Sequence, residues 1–131
     1  MPIQNVNVAF SLNWVRPNGI SGPYCFGDRK DIRFDRNWDK KNVIYRWIKA
    51  STGEVAMVGE TDRSLTRRAD NYCSAKPGSF AGETNRKLYA EQAQLSLIGD
   101  HLYLEFVDQV PGYNLTDKRD RRFAEHYSLV S

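Results

Sequence analysis

The sequence has little of what marks secreted, membrane-spanning or zinc-dependent proteins. Its 131 residues include two cysteines, Cys25 and Cys73, and two histidines, His101 and His126. No C-x-x-C pair and no Cys/His cluster at zinc spacing occurs, which excludes a finger-type zinc site. The cysteines read as two thiols in a reducing compartment or as one disulfide. No apolar run is long enough to span a bilayer. The amino terminus lacks the charged start and apolar stretch of a secretory leader. A soluble, cytoplasmic protein without a membrane partner is expected. There is no internal repeat and no low-complexity segment. An excess of one charge is also missing: the formal net charge is +3, which permits a nucleic-acid partner without requiring one.

What is present is enough for a core. A 40% hydrophobic and 12% aromatic composition rules out a disordered chain, and the length suits one domain. The basic residues cluster. Arg63, Arg67, Arg68, Arg86 and Lys87 form one group, and Lys118, Arg119, Arg121 and Arg122 a second. Each group taken alone reads equally well as a solvated face.

Residues 1–41 read as an extension packed on a domain at 42–131. Asn5 to Val15 alternates like a strand, with Val6, Val8, Phe10, Leu12 and Trp14 on one side. A Pro/Gly-rich stretch from Pro17 to Gly27 follows, then a charged segment anchored by Ile32, Phe34 and Trp38. From residue 43 the pattern sharpens. Val43–Ala50 and Val55–Gly59 read as strands joined by a short Gly-containing turn, hence a hairpin. Asp62 or Ser64 can cap a helix over Leu65–Cys73, which Lys76-Pro77-Gly78-Ser79 ends. Thr84 or Asn85 can cap a second helix, Arg86–Ile98. His101–Val107 reads as a third strand, and Thr116 can cap a last helix reaching Val130. The expected class is α/β (α+β): a small three-stranded mixed or antiparallel sheet flanked by helices, in the order β-β-α-α-β-α.

That order and its residues resemble the GIY-YIG nuclease family, named for two short strands that each carry a Tyr. The first motif stands here as Val43-Ile44-Tyr45 and the second as Met57-Val58-Gly59. An Arg follows ten residues past the second-motif Tyr position, which is Arg67, within VGETDRSLTRRADNY. The family form there is a Gly, some polar residues, a Leu, two residues, then an Arg or a basic pair. An Asn opens the next helix after a Pro-Gly loop, as in Pro77-Gly78 and then Thr84-Asn85-Arg86. A Glu on the closing helix precedes an apolar residue by four, as Glu125 precedes Leu129. The resemblance covers residues 42–131, about two thirds of the chain. Val43 replaces a Gly, and Met57 replaces the second Tyr, which removes a phenol from the site.

The resemblance implies a divalent-metal-dependent endonuclease that hydrolyses DNA phosphodiester bonds. Such chemistry needs a proton acceptor for water, a clamp on the phosphoryl oxygens and help for the leaving oxygen. Tyr45 is the candidate general base, or else a tyrosine packed on the hairpin. Arg67 is the candidate phosphate clamp, its planar fork suited to two oxygens. Glu125 is the candidate ligand of Mg²⁺ (or Mn²⁺), or else an i,i+4 ion-pair partner of Arg121. Glu91 and Glu105 are rival carboxylates. Met57, Asn71 and Asn85 support the site, Asn71 by orienting a water and Asn85 by a hydrogen bond or as a helix cap. Arg63, Arg68, Arg86, Lys87, Arg121 and Arg122 are expected on nucleic acid, Arg68 turned about 100° from Arg67 on the helix. Tyr72 and Tyr89 stack on bases or fill the core. The implied partner is double-stranded DNA, and cutting both strands suggests a homodimer. The alternative is a module of the same fold, without catalysis, that binds nucleic acid or protein.

Overall fold

A computed structural model describes residues 12–19, 22, 23, 26 and 40–128. The strand expected over Asn5–Val15 lies mostly outside these residues, as do Cys25, the anchors Ile32, Phe34 and Trp38, and the helix end at Leu129 and Val130.

The element order is β1 (Asn18–Gly19), β2 (Gly22–Pro23), β3 (Val43–Lys49), β4 (Val55–Thr61), α1 (Leu65–Cys73), α2 (Glu83–Leu97), β5 (Leu102–Val107) and α3 (Lys118–Ser128). From residue 43 this is the expected β-β-α-α-β-α. β1 and β2 form a small ladder of their own, and β4-β3-β5 form the main sheet with β3 in the centre. Both pairings of β3 are antiparallel, so among the described residues the main sheet is antiparallel rather than mixed.

Alternation along β3 builds two cores. Val43, Tyr45 and Trp47 join α1, α2 and Leu102, Leu104 and Phe106 of β5 in the larger cluster. Ile44 and Val107 face the other way and meet Ala124 of α3. Side chains on a strand alternate between faces, so α1 and α2 cover one side of the sheet and α3 the other. A central strand buried on both faces explains why VIYRWIK is nearly continuous in apolar residues.

Local chemistry sets the ends. Ser64 caps α1, its Oγ accepting from the Arg67 amide at 3.1 Å. α2 begins earlier than the sequence suggested: Gly82 is its N-cap, with no side-chain cap, so neither Thr84 nor Asn85 fills that role. Asp117, not Thr116, caps α3. Its Oδ1 accepts from the amides of Arg119 at 2.9 Å and Asp120 at 3.0 Å, while the Thr116 hydroxyl donates to Asn114. β4 runs two residues past Gly59, because Ile44 and Val43 pair with Glu60 and Thr61.

The segment 12–17 docks on β5. Val15 and Phe106 exchange two backbone hydrogen bonds at 2.9 Å each. Glu105, only 6% exposed, receives Nε–H bonds from Arg16 at 3.0 Å and Arg46 at 2.8 Å. Arg46 also lies 4.1 Å over the Trp14 ring. Glu105 is therefore a structural ion-pair centre. Glu91, the other rival carboxylate, sits 3.6 Å from Lys49.

Candidate functional site

The pairing register brings the two hairpin motifs face to face. Tyr45 stands opposite Gly59, and Trp47 opposite Met57. A Cβ at Gly59 would fall 2.4 Å from Cζ and Oη of Tyr45. Only glycine leaves room for that ring, so the Gly of Met57-Val58-Gly59 has a steric cause.

Tyr45 is 1% exposed and its hydroxyl ends in a buried polar chain. The Tyr72 hydroxyl lies 2.7 Å away and donates onward to Sδ of Met57 at 3.1 Å. With that proton spent on sulfur, the Tyr45 hydroxyl is the donor to Tyr72, and it accepts from Nε of Arg68 at 2.9 Å. Arg68 also lies 5.1 Å over the Tyr72 ring. Burial pushes the Tyr45 phenol above its ordinary value, outweighing the opposing pull of Arg68. Tyr72 is raised further, by burial and then by Tyr45. Both phenols are neutral at physiological pH, and Met57, though it is no phenol, anchors the second one. Tyr72 thus belongs to the polar chain of the site; its spacing from Arg68, one helical turn, was the signal for it.

The guanidinium beside Tyr45 is Arg68, whereas Arg67 is exposed and does not line the cleft that Arg68 borders. Helix phase explains this. Leu65, Ala69 and Tyr72 are the buried face of α1. Arg67 lies about 200° round from Leu65, on the opposite side, and Arg68 about 60° from it. Counting ten from Met57 gives Arg67, but Leu65 followed by two residues gives Arg68, and the second count matches the packing.

Arg68 forms one wall of a cleft of about 360 Å³ beside β4, lined by Glu60, Thr61, Asp62, Arg63, Arg68, Asn71, Lys118, Arg121 and Arg122. The cleft lies where α1 from one face and α3 from the other meet along the β4 edge. Arg121 is 3% exposed and committed to structure: it bonds Glu60 at 2.6 Å, the Leu115 carbonyl at 3.0 Å and Asn42 at 3.3 Å. It floors the cleft and is not a free cation for nucleic acid, nor is it paired with Glu125. Arg63, Arg122 and Asn71 are exposed at the rim. Arg86 and Lys87 lie outside the cleft, tied to the Ala81 carbonyl at 2.8 Å and Glu83 at 3.1 Å. Asn85 sits in the first turn of α2, also outside it.

Glu125 is half-buried on α3, one turn past Arg121. Burial, and then the nearby Glu60 carboxylate, raises its pKa, while Arg122 and Arg68 pull it down. The Glu125 carboxylate disfavours the phenolate of Tyr45, a smaller effect than burial, though Glu125 does not itself line the cleft. Among the described residues, no group of three His, Cys, Asp or Glu side chains gathers to hold a metal. Mg²⁺ keeps several waters and needs only one or two carboxylates plus a substrate oxygen. Glu125, with no ion pair among the described residues and a second carboxylate near it, fits that looser demand.

Compared with known protein families, characterised proteins and solved structures, the chain matches none. Among the described residues, no helix is long and apolar enough to cross a membrane.

Proposed function

We propose that this chain is a GIY-YIG-type endonuclease that cleaves DNA phosphodiester bonds with Mg²⁺ or Mn²⁺. The observation that carries the reading is Arg68, held by Tyr45 and Tyr72 at the wall of a polar cleft rimmed by Arg63, Lys118 and Arg122. Its Nε donates to Tyr45 and its guanidinium lies against Tyr72, and the cleft side of that planar fork would grip a phosphate. Charge growing on the phosphoryl oxygens would fall on that fork. Tyr45 and Tyr72 act as positioning residues, since neither phenol is ionised at neutral pH. Glu125 would hold the metal, which when bound supplies charge neutralisation and makes water more acidic. A single site of this size cuts one strand, so cleavage of a duplex would call for a homodimer. A cytoplasmic setting suits such an enzyme.

One observation favours a second reading. Tyr45 lies beneath Arg68 and the Met57 sulfur occupies the second phenol's position, which suits a module that binds nucleic acid without cutting it. Supercoiled plasmid incubated with protein and Mg²⁺ separates the two. Nicking that EDTA abolishes supports the enzyme. Intact plasmid with salt-sensitive binding supports the module. Neither nicking nor binding contradicts both.

A further inference from the structure

The outer face of α3 carries a strip that the cleft shares only in part. Lys118, Arg119, Arg122, Phe123 and His126 line a shallow depression of about 660 Å³. Their spacing, i, i+1, i+4, i+5 and i+8, places them on one side of the helix. Phe123 is 55% exposed at its centre. A lone surface aromatic is ordinary. This one stands among three cations, none in an ion pair among the described residues, with Arg119 5.9 Å from the ring centroid. Lys118 and Arg122 line both this depression and the phosphate-sized cleft. A backbone leaving the cleft over these two side chains would pass beside the ring.

We propose that this strip is a single-strand platform: Lys118, Arg119 and Arg122 hold the phosphates flanking the cleft, and an unpaired base stacks on Phe123. The proposal rests on the nucleic-acid reading of the cleft but not on cleavage. Stacking on an aromatic ring is tolerant of sequence and needs a base out of its pair, whereas phosphate contacts serve duplex and single strand alike. The platform therefore favours a strand frayed, bulged or unpaired next to the cleft.

The test is a fluorescence titration in EDTA, so that no cutting occurs, with a twelve-nucleotide single strand carrying 2-aminopurine and with the matching duplex. Phe123→Ala should weaken single-strand binding on the order of tenfold and remove the stacking-induced quenching. Phe123→Trp and Phe123→Tyr should retain both. Duplex affinity should stay within about twofold, since only the stacked base depends on the ring. Arg122→Ala should weaken both ligands. An unchanged thermal midpoint of Phe123→Ala excludes misfolding as the cause. Three results would overturn the platform: single-strand affinity and quenching that survive Phe123→Ala, an equal loss on duplex, or no binding of either ligand. Full Phe123-dependence in a protein that never nicks plasmid would support the platform and refute the nuclease.

Discussion

Gly59 and Tyr45 stand across the ladder from each other, and the space between them decides what residue 59 can be. Gly59→Ala would place a methyl 2.4 Å from the buried Tyr45 ring, which is itself wedged against Tyr72 at 6.0 Å between centroids. Overpacking of this kind costs about 1–3 kcal/mol, and chemical denaturation should show it. The displaced phenol would also release Arg68, so any DNA affinity should fall with the stability. Glu125 makes a second prediction at this scale. Its folded pKa lies above its unfolded one, chiefly through burial, so the folded state holds the proton more tightly. Stability therefore falls as pH rises from the ordinary carboxyl value, about 4.3, through the raised one. Glu125→Gln should raise the thermal midpoint slightly at pH 7, and the gain should vanish below about pH 4. Mg²⁺ should raise the midpoint of the native protein at pH 7 and not that of Glu125→Gln. A midpoint difference that does not change with pH would contradict the assignment of Glu125 to this half-buried, like-charged position.

The position of α3 depends on Arg121. Its bonds to Glu60 on β4, Asn42 before β3 and the Leu115 carbonyl fix the helix against the sheet, and with it Glu125 one turn on. Arg121→Met should cost about 3–5 kcal/mol by stranding Glu60, and the double change Arg121→Met with Glu60→Leu should recover most of that loss. Equal losses in single and double variants, read from denaturation midpoints, would mean that the pair is not the fastening. Arg121 shows where sequence reading stops. Within Lys118-Arg119-Asp120-Arg121-Arg122 nothing in residue type distinguishes the one arginine that faces the sheet. The periodicity of Arg121, Ala124 and Ser128 does so only once the sheet is known. The strands and α1 were legible because β-branched runs and a serine cap state themselves locally. Arg68 was legible in the spacing from Leu65 but hidden by the spacing from Met57. The Gly82 cap was not legible, since glycine caps by default of a side chain and Thr84 and Asn85 offer more obvious ones.

At the scale of the whole molecule, the cleft exists because helices from both faces of a three-stranded sheet meet at one edge, that of β4. The opposite edge, β5, is occupied. Val15 pairs there with Phe106, and Glu105 binds Arg16 and Arg46. A bridge on one edge and charge flanking the other both discourage edge-to-edge association. Glu105→Gln should loosen residues 12–17 while leaving the cleft intact. Hydrogen exchange at the Val15 and Phe106 amides should accelerate, and exchange in α1 should not. Equal acceleration throughout would mean that the segment is integral to the fold.

Arg68, held by two buried phenols, is proposed to grip a phosphate that this protein cleaves. Mg²⁺-dependent nicking of supercoiled plasmid by the native protein, Arg68→Ala, Arg68→Lys and Arg67→Ala tests it most directly. The native protein should nick. Both Arg68 variants should lose on the order of 100-fold or more, because lysine keeps the charge but not the fork. Arg67→Ala should stay within a few-fold of native, as befits a side chain on the far face of α1. No nicking by the native protein, or a loss confined to Arg67→Ala, would contradict the claim.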